Sequence, residues 1–141
     1  MKLQQDIEYR LELAKGFLSE AEQDETLQRW RACVSSSILV IENAGLAVLM
    51  LFGVSPFTHK PGGHLSQLIS EGTVSSGVAA QIEQLLPELE KYDSHEKMLA
   101  KYGDESTFRL PWEIYGAEEG KAALDAARKC MRISLAMAGK G

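Results

Sequence analysis

From Thr26 to Phe52 the chain has no proline and one glycine, Gly45, and as an unbroken helix this run is about 40 Å long. Its first half is amphipathic, with Trp30, Val34, Ile38 and Ile41 on one stripe. Its second half, Gly45-Leu46-Ala47-Val48-Leu49-Met50-Leu51-Phe52, is apolar on every side. A helix apolar all round must be surrounded, by the rest of its own domain or by a partner subunit. The run is therefore read as the central helix of a helical domain. Its most apolar part, Ile38 to Phe52, contains Glu42, Asn43 and Gly45 and falls short of the about 20 apolar residues of a membrane span.

The flanking segments repeat the helical period. Ile7, Leu11, Ala14, Leu18 and Ala21 step by four, three, four and three across 4–22, the stripe of an amphipathic helix. Asp24 or Thr26 is expected to cap the central helix. Residues 53–63 read as a loop, and 64–69 as a short helix that stops near Gly72. A third long helix opens at Thr73 or at Ser75/Ser76, with Val78, Ile82, Leu85 and Leu89 as its stripe. Pro87 is expected to kink or restart it, after which the stripe resumes with Tyr92 and Leu99 and ends at Gly103. Residues 103–116 form an aromatic-rich loop. The last helix, 117–138, carries Ala123, Ala126/Ala127, Cys130, Ile133/Ser134 and Met137 on its stripe. No segment alternates as a strand does. The expected fold is all-α: an antiparallel four-helix up-and-down bundle with one short extra helix, a single domain over residues 1–141.

Composition narrows the function. A length of 141 residues suits one domain, and apolar residues at 45% with charged residues at 25% are globular values. The net charge of −5 argues against a surface that clings as a whole to nucleic acid or to an anionic membrane. The N-terminus is polar and has no h-region, so a cytoplasmic protein is expected. Cys33 and Cys130 are read as buried thiols, with a disulfide as the alternative. The apolar second half of the central helix and the Ala-rich last helix offer more apolar surface than four helices cover, so a homodimer is expected.

Several residues carry chemistry. His59 and His64 lie five apart in a Gly/Pro-rich segment, a spacing that no helix face presents as a ligand pair. No metal and no other cofactor is expected. Lys60-Pro61-Gly62-Gly63-His64 can expose backbone N–H groups to a phosphate, without the P-loop consensus. Glu42 and Asn43 interrupt the apolar helix and need hydrogen-bond partners. Arg29 and Arg31 flank Trp30, an arrangement that can meet a single strand. The most loaded stretch is Lys91 to Arg109. Within it His95, Lys101, Tyr102 and Asp104 are the ligand-binding candidates, with Glu42 as a wall residue. Imidazole changes charge near neutral pH, and Lys101 beside Tyr102 offers a cation with a stacking face for a nucleotide or an RNA strand.

Three stretches together resemble a HEPN domain, the small prokaryotic helical domain of toxin–antitoxin systems. Arg31-Ala32-Cys33-Val34 through Ile41-Glu42-Asn43-Ala44-Gly45-Leu46-Ala47-Val48-Leu49 is similar to that family's second helix. Gly53-Val54 to Thr58-His59 and Gly63-His64-Leu65 resemble its His-containing link to a small helix. Lys101-Tyr102-Gly103-Asp104, then Pro111-Trp112-Glu113-Ile114-Tyr115 and the Ala-rich last helix, resemble its RYPD-like turn, aromatic loop and final helix. The resemblance implies a homodimer and a minimal nucleotidyltransferase partner. It also implies, for many members, a metal-independent ribonuclease built on an Arg-x4–6-His motif. Here no arginine precedes a histidine by five to seven positions, and Lys101 stands where arginine is usual. The expectation is a non-catalytic component that binds a nucleotide, an RNA or the partner. A ribonuclease using His95 with Lys101 or Arg109 is the alternative, and a helical interaction module without a ligand is the third reading.

Overall fold

A computed structural model describes residues 2–54 and 60–141. Seven helices occur among them: α1 (Lys2–Thr26), α2 (Trp30–Leu51), α3 (Pro61–Ser70), α4 (Ser76–Lys91), α5 (Ser94–Tyr102), α6 (Pro111–Ile114) and α7 (Ala117–Met137). The fold is all-α, and the described residues hold no strand beyond one isolated bridge between Asp104 and Arg109.

α2 is the centre. It packs on α1 and α7 above all, and also touches α3, α4, α5 and α6. Residues Val40 to Met50 are all buried, so the apolar second half is covered by its own chain. The packing premise for a dimer along α2 is thereby removed. By length and composition α2 could cross a bilayer, yet most of it is enclosed by the other helices.

Two glycines set how closely the helices approach. A Cβ on Gly45 would stand 2.8 Å from Leu89 Cδ2 and 2.9 Å from Pro61 Cγ, so the bare backbone of α2 admits α3 and α4 together. A Cβ on Gly120 would stand 2.7 Å from the Trp30 ring, so glycine brings α7 onto the start of α2. Along the same seam Cys33 Sγ donates to the Gly120 carbonyl at 3.5 Å and Ser134 Oγ to the Ala44 carbonyl at 3.2 Å. Ala123, Ala126 and Ala127 are buried between these contacts.

The helices depart from expectation in four places, one being α6, a four-residue helix inside the stretch 103–116 that reads as a loop. Thr26 ends α1 instead of capping α2: its hydroxyl donates to the Glu22 carbonyl, and the α2 N-cap, Arg29, offers no side-chain cap. α3 starts at Pro61, because proline at the first helical position gives up only an amide that has no partner there anyway. The third long helix breaks after Tyr92, not at Pro87. Pro87 is exposed within α4, where buried Ile82, Leu85 and Leu89 hold the helix through the one lost hydrogen bond. Asp93 then starts α5, its Oδ1 accepting from the amides of His95 and Glu96 at 3.0 and 3.2 Å. α4 itself is capped by Ser75, one of the expected residues.

Cys33 and Cys130 are free and buried, which sets the disulfide alternative aside. Burial pushes their thiols up to about 11 and about 12.

Candidate functional site

α5 divides the loaded stretch into two faces. His95, Met98, Leu99 and Tyr102, at steps of three, one and three, point one way. With Gly103, Asp104, Glu105 and Ser106 they line an open groove of about 480 Å³. Lys97 and Ala100 point the other way, toward α2. Ala100 is fully buried, and Lys97 Nζ donates to Glu42 Oε1 at 2.9 Å.

The structure thus brings His95, Tyr102 and Asp104 to one groove and leaves Glu42 and Lys101 outside its lining. Glu42, 9% exposed, serves as the anchor of α5 on α2. Asn43 plays the matching part toward α1, with Oδ1 accepting from Arg10 Nη1 at 3.0 Å and Nδ2 donating to the Leu39 carbonyl. Lys101 lies over the ring of its neighbour Tyr102, 5.4 Å from the centroid. Arg109 Nη2 donates to the Glu113 carbonyl at 3.4 Å.

The groove wall is a locked turn. Gly103 has φ +73, and a Cβ there would collide with the Arg109 carbonyl, so only glycine fits. Asp104 and Arg109 then pair backbone to backbone at 2.9 and 3.0 Å. Asp104 Oδ1 accepts from the Ser106 amide at 3.0 Å and from its hydroxyl at 2.6 Å. Hydrogen bonds from Ser106 and Thr107 hold the Asp104 carboxyl below its ordinary value. That carboxylate is occupied in shaping the turn, and with Glu105 it gives this wall negative charge.

Apart from Tyr102, the apolar rim was not singled out by the sequence. Phe108 is 90% exposed and Trp112 70%, with Met98, Tyr102 and Leu110 also more than half exposed. Phe108 has φ +58, a region that bulky residues rarely enter. Pro111 opens α6, which aims Trp112 outward. Arg31 sits 5.9 Å from the Trp112 ring centroid while donating to the Ala100 carbonyl at 3.1 Å. The trio around Trp30 is likewise engaged within the fold: Arg29 pairs with Asp24 at 3.3 Å, and Trp30 packs on Gly120. Density of aromatics next to Gly103 and Pro111 was the available signal, but it is equally the signal of a core.

A second cavity, of about 330 Å³, lies between α3 and α4, lined by Lys60, Gly62, Gly63, Ser66, Leu86, Leu89, Glu90 and Asp93. The glycines of the Lys60–His64 stretch share this cavity with the carboxylates of Glu90 and Asp93 as well as with Lys60. Gly62 also serves packing, since a Cβ on it would stand 3.3 Å from Leu89. His64 is exposed on α3, and His59 lies outside the described residues. Among the described residues no three His, Cys, Asp or Glu side chains are grouped to hold a metal ion. Comparison with protein-family models, with curated proteins and with solved structures finds no match to this chain.

Proposed function

We propose that the chain is a HEPN-like binding protein: a cytoplasmic, homodimeric, non-catalytic component of a HEPN/nucleotidyltransferase module. An up-and-down four-helix bundle is part of this reading, with α4 and α5 as one interrupted third helix. The residue pairs support it. Arg10 meets Asn43 across the α1–α2 hairpin, Cys33 and Ala44 of α2 meet Gly120 and Ser134 of α7, and Glu88 of α4 faces Lys129 of α7. The order of the central helix, small helix, glycine turn, aromatic loop and Ala-rich last helix along the chain supports the same likeness.

The observation that carries a binding role over a catalytic one is the groove at the 101–104 turn. It has exposed apolar side chains on its rim, while neither Lys101 nor Arg109 is among the residues that line it with His95. A ribonuclease would need His95 to work with Lys101 or Arg109 on one phosphate. Lys101 is over Tyr102 and Arg109 is bonded to the Glu113 carbonyl.

The test is incubation with RNA in EDTA, together with co-expression of a minimal nucleotidyltransferase encoded by an adjacent gene. Intact RNA and co-elution of the two chains are expected. RNA cleavage that His95→Ala removes would overturn the non-catalytic reading in favour of the ribonuclease.

A further inference from the structure

We infer that the hairpin at 104–109 is a reciprocal dimer contact, in which Phe108 of each copy of this chain enters the groove on α5 of the other. The inference rests on the homodimer reading above and names the surface that would make it.

Four observations lead there. The first is a projecting side chain with no place in its own fold. Phe108 is 90% exposed, sits at φ +58, and is not among the residues lining the neighbouring groove. A bulky residue held in the left-handed region and turned to solvent is strained without return inside the chain.

The second is rigidity. The Asp104–Arg109 backbone pair and the Asp104 side-chain bonds to Ser106 fix the loop that carries the ring. A preorganised aromatic loses little entropy on docking.

The third is that projection and recess share one surface. The groove is walled by Met98, Leu99 and Tyr102 and bounded by residues 103–106 of the same hairpin. Its 480 Å³ have room for a phenyl ring. A two-fold axis beside the hairpin places each projection opposite the partner copy's recess, as an isologous interface requires. Met98, Tyr102, Phe108, Leu110 and Trp112 are each more than half exposed along this stretch, apolar side chains available to an interface that draws about 800 Å² from each side.

The fourth is charge. The chain carries −5 overall, yet here Arg31 lies by Trp112, Lys101 by Tyr102 and Arg109 by the Glu113 backbone, with Asp104 and Glu105 on the groove wall. A balanced rim can be complementary to itself, whereas a strongly acidic or basic partner would meet like charges along half of it.

The experiment is sedimentation equilibrium of the full chain and of two variants, Phe108→Asp and Phe108→Gly. The glycine variant removes the ring while suiting φ +58, so a loss of association cannot be laid to misfolding if its circular dichroism is the parent's and its unfolding stays cooperative. The expected result is a two-chain mass for the parent at micromolar concentration and a one-chain mass for both variants. The dimer constant should weaken by about 30-fold for each ring lost, thus about 1000-fold for the pair. A parent that is dimeric and stays so in both variants overturns the Phe108 contact and leaves the homodimer reading standing. A parent that is monomeric up to 200-fold above micromolar concentration overturns both, and the rim then serves another partner.

Discussion

Asp104 and Arg109 exchange backbone hydrogen bonds in both directions, at 2.9 and 3.0 Å, and so close a four-residue loop at the end of α5. This pair converts a polar stretch into a fixed wall. Gly103 makes the turn, Asp104 ties down Ser106, and Phe108 is left at the crest. The wall of the candidate site is therefore set by backbone geometry, with the Asp104 carboxylate spent on the turn.

Lys97→Ala should destabilise the protein by about 2 kcal/mol. The pair it breaks joins α5 to α2 and is only partly screened, with Glu42 buried and Lys97 half-buried. Removal of the ammonium leaves a buried carboxylate with one partner fewer. Urea denaturation checks this. A double-mutant cycle with Glu42→Gln should show favourable coupling, because Glu42→Gln alone removes the charge that makes the loss of Lys97 costly. No change in Lys97→Ala would mean that the pair contributes nothing.

Much of the fold was legible in the residues. The stripes at 7–21 and 78–89 and the all-round apolar run at 45–52 identify α1, α4 and α2, because burial imposes the helical period directly. The break at Asp93 was not. Pro87 is the louder signal, yet three buried side chains hold the helix through it, and a carboxylate accepting two amides decides where the next helix starts. At the site, His95, Tyr102 and Asp104 were legible as neighbours because one helix and its turn connect them. The assignment of Glu42 to α5, and of Arg31 to the Ala100 carbonyl and Trp112, were not, because contacts across 55 and 69 positions leave no mark on local spacing. The exposure of Phe108 and Trp112 was invisible for another reason: an aromatic reads as core until a backbone turn directs it to solvent.

Gly120→Ala should cost about 1–3 kcal/mol, the range for overpacking a filled seam. The new methyl would stand 2.7 Å from a ring carbon of Trp30, and α7 must shift or Trp30 must turn. Thermal unfolding gives the magnitude, and a change in tryptophan fluorescence locates it. Trp30→Leu, by removing the ring, should lessen the penalty of the added methyl. An unaltered melting temperature for Gly120→Ala would show that α7 does not depend on this approach.

Stability should fall as pH rises above about 9. Burial lifts Cys33 to about 11 and Cys130 to about 12 from 9.0, and lifts Tyr92 to about 12 from 10.0. Tyr115 is raised as well, by burial first and then by its hydroxyl's donation to Glu96 Oε2 at 2.8 Å. Each group keeps its proton longer when folded, so the unfolded chain releases protons first and draws the equilibrium toward itself. The contribution is whole below pH 9, diminishes from there, and is lost through pH 12. Melting temperatures between pH 7 and 11 measure the decline, and Cys130→Ala should make it shallower by one group. A flat profile over that interval would contradict the burial of these four groups.

Gly103→Ala should open the hairpin and leave the bundle folded. The added Cβ collides with the Arg109 carbonyl, the acceptor for the Asp104 amide, and the residue must also hold φ +73 against its side chain. Relief requires the Asp104–Arg109 pair to separate, at about 1–3 kcal/mol. Because the turn lies beyond the main core, that cost should fall locally. Hydrogen exchange would show it as faster exchange of the Asp104 and Arg109 amides, with Ser106 following as its carboxylate partner moves, while amides of α2 and α7 keep their protection. Phe108 would then no longer be held at a fixed place, so loss of the hairpin should weaken any binding at the α5 groove, of whose lining residues only Gly103 has been substituted. Unchanged exchange at Asp104 and Arg109 would mean that the turn tolerates a side chain at 103 and that the rim is not fixed by this glycine.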